Sequence, residues 1–234
     1  MEALYIIFIG ILLIYGINYY LYTQTEYYIC TRTPFLQIFH SRDLGKKGEY
    51  CTYKRLEKLG GYKKYLFNCY IPKEEGGTSE IDVLLIHESG IYVFESKNYS
   101  GWIFGSDYMQ EWTQTIKKES KNGGVIYKNK FYNPIMQNQT HIKHLKHYLS
   151  EYGEIPLYSY IIFSERCELK NIKLTSSENT VINRQHILRA VTDLANYKGH
   201  ILSPQQINDI YFKLYRTSQL SEFEKQEHIN NIYS

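Results

Sequence analysis

Cysteine is scarce in this chain and falls into no pattern. Cys30, Cys51, Cys69 and Cys167 form no C-x-x-C pair, and no histidine stands at zinc-finger spacing. That excludes a disulfide framework and a structural zinc site as readings of the sequence. A strong charge of one sign is missing too. Lys and Arg total 27 against 24 Asp and Glu, a net +3, too mild to demand a nucleic-acid partner on its own. No internal repeat is present, which sets aside solenoids and propellers. At 234 residues there is room for one good-sized domain with appendages.

What is present begins with a long apolar run. Residues 3–22 carry no charge and only Asn18 as a strongly polar side chain. As a helix this run is about 30 Å long, the thickness of a bilayer core, and Tyr19, Tyr20 and Tyr22 suit an interfacial belt. A secretory signal wants a basic start and a small-residue cleavage site, whereas the chain begins Met1-Glu2 and large tyrosines follow the run. A buried core helix is the other rival, and hydrophobicity on every side argues against it. The expectation is a membrane anchor over 1–24. Arg32, Arg42, Lys46 and Lys47 follow it while Glu2 precedes it, so the positive-inside rule predicts a single pass with the body in the cytoplasm. Residues 25–44 read as a polar connector with an apolar patch at Phe35, Leu36, Ile38 and Phe39 that suits either the membrane or the domain. Cys30 is expected to be a plain thiol, with acylation as the rival.

The pattern from Lys46 to Leu59 predicts a helix ended by Gly60-Gly61, with Glu49 on a stripe shared by Tyr53 and Leu56. A strand follows from Tyr65 to Ile71. Next come Ile81–His87 and Gly90–Lys97, apolar and β-branched, joined by a bend at Glu88-Ser89. With those two residues as the loop, Asp82 faces Glu95, and period-two alternation puts Lys97 and Glu80 on the same face. A three-residue loop would break that parity. Opposed carboxylates at a buried strand end repel and are costly to desolvate. A hard divalent cation resolves both problems, and Mg²⁺ typically takes one or two carboxylates and keeps several waters. A strand-end Asp–Lys or Glu–Lys pair that merely neutralises charge is the bland alternative.

The spacing D-x(12)-E-x-K across a hairpin resembles the PD-(D/E)XK nuclease core. The wording around it, GTSEID at 77–82 and GIYVFESKNYSGWIFG at 90–105, is similar to the nuclease-related domain, NERD. W-T-Q at 112–114 and FYNPIMQNQTH at 131–141 follow in that family's order. The resemblance runs from about Gly45 to Ser164; Val83 and Ser96 stand where His and Thr are commoner. It implies an α/β, restriction-endonuclease-like α-β-β-β-α-β core: a mixed sheet flanked by helices, here over 45–165. It implies that Asp82 and Glu95 hold Mg²⁺ (or Mn²⁺) with the Ser96 carbonyl, and that Glu49 of the Gly48-Glu49 pair completes the acidic site. Lys97 would activate water or stabilise the pentacovalent phosphate, and Gln137 of N-P-x-x-Q would orient the lysine or the substrate. The partner implied is nucleic acid, DNA ahead of RNA.

Elsewhere the reading is thinner. Residues 99–131 hold short apolar pieces and Lys117, Lys118, Lys121, Lys128 and Lys130, either a solvated charged loop or a grip on a phosphate backbone. Asn133-Pro134 opens a helix to about Ser150 that aligns Gln137, His141 and His144; a metal reading of the histidines lacks a third ligand. Tyr158–Ser164 reads as a central strand, Thr180–Ile182 as a weaker one and Gln185–Tyr197 as a helix. Ser203-Pro204-Gln205-Gln206 gives a capping-box start to another. Residues 166–234 are expected to be a mostly helical extension without recognisable chemistry, with a polar tail after Ser218. Two functions compete: a membrane-anchored, Mg²⁺-dependent nuclease, and a binding or scaffold module that keeps the fold and cuts nothing.

Overall fold

In a computed structural model of the chain, residues 1–39, 43–118 and 124–220 are described. Arg42, Lys121 and the tail from 221 onward lie outside them.

The apolar run is one helix, α1 (Glu2–Thr23), long and apolar enough to cross a membrane and buried against nothing along its best window. Thr25 then caps α2 (Glu26–Thr31), accepting from the Tyr28 amide, and α3 (Phe35–Phe39) follows. This connector is packed. Tyr27, Phe35 and Ile38 lie in the same buried cluster as Tyr22, Tyr53 and Phe67, so the patch covers the domain, while Leu36 and Phe39 stay exposed. The Cys30 thiol is buried in that cluster, and burial lifts its pKa to about 11, which suits an inert side chain.

Helix α4 (Leu44–Leu56) starts two residues earlier than its periodicity suggests, because the Asp43 carboxylate caps the Lys46 amide at 3.1 Å. Strands β1 (Lys63–Pro72), β2 (Thr78–His87) and β3 (Gly90–Lys97) follow as an antiparallel meander. Residues read as a loop then form β4 (Gly101–Ser106), β5 (Glu111–Lys118) and β6 (Val125–Tyr132). Asn133 caps α5 (Pro134–Tyr148) through the Ile135 amide. Next come β7 (Leu157–Phe163), β8 (Cys167–Lys173) and β9 (Asn179–Asn183). Helices α6 (Ile187–Lys198) and α7 (Pro204–Tyr215) close the described chain, α7 with the expected Ser203–Gln206 capping box.

The main sheet has the order β1-β2-β3-β7-β9, antiparallel from β1 to β3 and parallel from β3 to β9. The continuous apolar run of β7 is explained by its place between β3 and β9. One face packs under α4 and α6 through Tyr53, Leu56, Ile187 and Val191. The other packs under α5 and α7 through Leu145, Ile207, Ile210 and Leu214. Each such side chain, fully buried, contributes about 1.5–3 kcal/mol. A second sheet, β6-β5-β4-β8, leans on Trp112, Phe163 and Ile135. The helical C-terminal region is present as α6 and α7, but residues 166–183 before it supply a strand to each sheet.

Candidate active site

The turn at Glu88-Ser89 is as read, with His87 opposite Gly90 and Val83 opposite Phe94. The β2–β3 ladder ends at Val83. One residue further, the Asp82 carboxylate takes over, its Oδ2 accepting the Ser96 amide at 2.9 Å. On β1, Asn68 falls between the Phe67–Val83 and Cys69–Ile81 pairs, opposite Asp82, and it is left-handed at φ 51°. Face alternation slips there. Leu66 and Cys69 on β1, like Ile81 and Leu84 on β2, share the α5–α7 core although each pair is an odd three residues apart.

That slip corrects one expectation: Glu80 does not share a face with Glu95 and Lys97. It accepts from the Tyr70 hydroxyl at 2.9 Å and lines a cleft of about 450 Å³ on the α4 side with Glu49, Lys46 and Arg32.

Glu95 and Lys97 face α5. Lys97 Nζ lies 2.7 Å from Glu95 Oε1 and donates to Gln137 Oε1 at 3.1 Å. His141 Nε2 lies 3.3 Å from Glu95 Oε2, and its Nδ1 is held by Ser79 Oγ at 2.7 Å. The His141–Glu95 contact is too poorly aligned for a hydrogen bond, so Glu95 Oε2 is buried without one. His144, by contrast, turns toward Glu75 at 3.8 Å.

Ser96 points the other way, to α4, where its Oγ meets Thr52 Oγ1 at 3.3 Å and Arg184 Nε donates to the same Thr52 oxygen at 3.2 Å. A Cβ on Gly48 would come 3.1 Å from Asn98 and 3.2 Å from Ser96. Glycine there lets α4 lie close on β3, which delivers Glu49 to the sheet. Glu49 is buried and accepts from Tyr27 at 3.3 Å.

Charge separates the carboxyls. Burial alone would raise Glu95, but the Lys97 ammonium and then His141 hold it at about 2. Burial would lower Lys97, and Glu95 and Asp82 more than offset that. Asp82 lies well above the usual carboxylate range, first through burial and then through the charges of Glu95 and Glu49. Glu49 is lifted to about 8 by burial, with Glu80 adding to it. The site therefore holds one firm anion beside a fixed cation, and two carboxyls that bind protons avidly.

Such a set fits a hard divalent cation. Asp82 and Glu95 are oxygen donors, Glu95 Oε2 has no hydrogen bond, and a cation would relieve the repulsion that raises Asp82. Among the described residues no three His, Cys, Asp or Glu side chains cluster as a metal site. An ion held by Asp82 and Glu95 would therefore take most of its remaining ligands from water, as Mg²⁺ commonly does.

Sequence reasoning missed Tyr27, Ser79 and the Glu95 contact of His141. His141 stands four residues after Gln137 on α5, so the helical spacing held the signal.

A mixed, helix-backed sheet with an aspartate where two strands part and a Glu-x-Lys pair on the next strand defines the PD-(D/E)XK class of nuclease folds. Within that class the chain belongs to the nuclease-related domain (NERD) family, whose profile matches residues 44–164. An uncharacterized protein of Bacillus anthracis is 29% identical over 191 residues, covering 81% of this chain and 84% of that protein. The similarity thus extends beyond the domain. No solved structure matches the chain.

Proposed function

We propose that this protein is a membrane-tethered, divalent-cation-dependent nuclease whose body faces the cytoplasm. The observation that carries the reading is the Lys97 ammonium, fixed between Glu95 and Gln137 beside Asp82. Asp82, Glu95 and the Ser96 carbonyl would hold Mg²⁺, which when bound supplies Lewis-acid charge to a phosphodiester and acidifies a water. Glu49 completes the acidic side of the site. Lys97 offers its positive charge to the phosphate as negative charge grows on it, and Gln137 fixes the direction of that charge. The tether rests on the length and composition of α1 and on the basic residues after it.

The test uses the purified full chain in detergent with single-stranded DNA, duplex DNA and RNA in Mg²⁺. The parent is expected to cut at least one of them. Lys97→Met keeps the stem's packing and removes the charge, and should slow cleavage about 100-fold. Binding in Ca²⁺ should change little, because one charge among several phosphate contacts contributes modestly. A parent that binds yet stays inert across the panel would make the protein a binding or scaffold module instead.

A further inference from the structure

The second sheet turns one face to the core through Ile103, Trp112 and Phe131. Its other face looks outward, and register fixes what lies on it. Trp102 is opposite Thr115, which is opposite Lys128; Phe104 is opposite Thr113, which is opposite Lys130. Each row thus reads ring, threonine, lysine across β4, β5 and β6. Trp102 is 41% exposed in the middle of a sheet, flanked by β5 on one side and β8 on the other. Ile126 and Lys117, opposite each other, extend the same face.

Its lysines are Lys117, Lys128, Lys130 and Lys170, against Glu111 and Glu168. Lys130 pairs with Glu111 at 2.8 Å and Lys170 with Glu168 at 2.5 Å. Among the described residues Lys117 and Lys128 have no acidic partner, so the face carries net positive charge beside the exposed Trp102 and the half-buried Phe104.

We infer that this face is a platform for single-stranded polynucleotide, an inference that rests on the nuclease reading and names its substrate class. At the backbone the two ring-bearing residues stand about 7 Å apart along β4, and each is about 10 Å from the lysine position two strands away. Unpaired bases stacked on the rings would have their phosphates within reach of the lysines, a pairing of groups that tolerates any sequence. A duplex keeps its base faces covered and cannot use the rings. An apolar protein surface would meet a line of lysines two strands from the rings, so the pattern suits a polyanion with flat apolar groups. Nearness to the acidic site along the chain is compatible with the same occupant. Trp102 follows Lys97 by five residues, so their Cα atoms lie within about 18 Å, and the Ser100 carbonyl between them accepts from Gln114 of β5 at 2.8 Å.

Fluorescence tests this directly, because the other tryptophan, Trp112, is fully buried. The full chain in neutral phosphatidylcholine nanodiscs, in Ca²⁺, is titrated with short oligo-dT, oligo-rU and a blunt duplex; nanodiscs containing phosphatidylglycerol form the membrane arm. Single strands should quench Trp102 emission and the duplex should not; the two oligonucleotides show whether DNA or RNA is preferred. Trp102→Ala should weaken single-strand binding about tenfold or more, and Trp102→Phe should restore most of it. Lys117→Gln with Lys128→Gln should lower the slope of log affinity against log salt by about 1.4. Lys97→Met should leave the quenching intact. Emission that ignores oligonucleotides, responds equally to the duplex, or shifts only with anionic lipid would overturn the platform. If the parent still cuts and Lys97→Met does not, the nuclease reading survives that failure. Quenching with no cleavage would leave the platform standing without the nuclease.

Discussion

Replacing Glu49 with glutamine tests the acidic site without any substrate. Glu49 is buried against Tyr27, and its carboxyl is lifted from an ordinary 4.5 to about 8 by burial and by Glu80. Between those values the folded chain binds more protons than the unfolded chain does. The stabilisation from this group is therefore complete below about pH 4.5 and is lost as pH rises to about 8. At ~1.4 kcal/mol for each tenfold in proton affinity, the ceiling is ~5 kcal/mol. Asp82 and Glu49 repel each other, a proton on either relieves both, and the slope belongs to the pair. About half the ceiling, ~2–3 kcal/mol, is a fair share for one substitution. Glutamine keeps the shape and the acceptor for the Tyr27 hydroxyl but cannot ionise.

Thermal unfolding of the full chain in detergent and EDTA should then show Glu49→Gln melting roughly 5 to 10 °C above the parent at pH 8.5, on the usual conversion for a chain of this size. The gap should close toward pH 4.5. Saturating Mg²⁺ at pH 8.5 should raise the parent more than the variant, since a ligand at 100 times its Kd adds ~2.7 kcal/mol to the state that binds it. A gap that does not vary with pH, or a parent that outlasts the variant in EDTA at pH 8.5, would refute the buried, proton-hungry Glu49.

Further outcomes follow from the same geometry. The double change Asp82→Asn with Glu95→Gln should abolish the Mg²⁺-dependent rise in melting temperature while circular dichroism shows the fold retained; a rise equal to the parent's would move the cation elsewhere. Gly105→Ala should lower the melting temperature by several degrees, because its Cβ would run into the ring of Trp112, fully buried and stacked on Phe163, and overpacking of this kind costs about 1–3 kcal/mol. In cells, the protein should stay with membranes through a high-salt wash, and protease added outside wall-stripped cells should leave residues 45–200 uncut. Release by high salt alone would refute the anchor, and cuts in that span would refute the cytoplasmic placement.

Much of this was legible because the signals are local. An uncharged run of twenty residues, Asn133-Pro134 at a helix start, the Ser203–Gln206 capping box and the bend at Glu88-Ser89 each settle an element from within a few positions. The second sheet was not legible for the opposite reason. Strand β6 exposes nearly every side chain, so no period-two burial marks it, and its lysines read as a solvated loop. Strand β8 carries a left-handed Asn171 and a register shift against β4, which blur its alternation. Strand β6 pairs only with β5 just before it, whereas β8 depends on pairing with the distant β4, and local composition does not encode that.

The candidate site divides along the same line, and Asp82 shows why. The D…E-x-K spacing placed Asp82 near Glu95 in the sequence reading, because a hairpin with a two-residue loop fixes which residues oppose. What alternation could not supply was the break at Asn68, after which β2 no longer obeys the parity of its first half. Asp82 stands at the break, where the ladder to β3 stops. Its carboxylate is then free to bond the Ser96 amide and to feel Glu95 on one side of the sheet and Glu49 on the other. A residue held within regular alternation would answer to one face alone. The neighbour of Glu49 is Tyr27, four residues past the apolar helix, and it comes from a segment read as a connector. Tyr27 is fully buried and touches both Glu49 and the Lys46 carbonyl. On the membrane-tethered reading, the body does not hang on a free coil. Packed tyrosines carry the line from α1 to the acidic side of the site, so the orientation of that site toward the bilayer is set by the core itself.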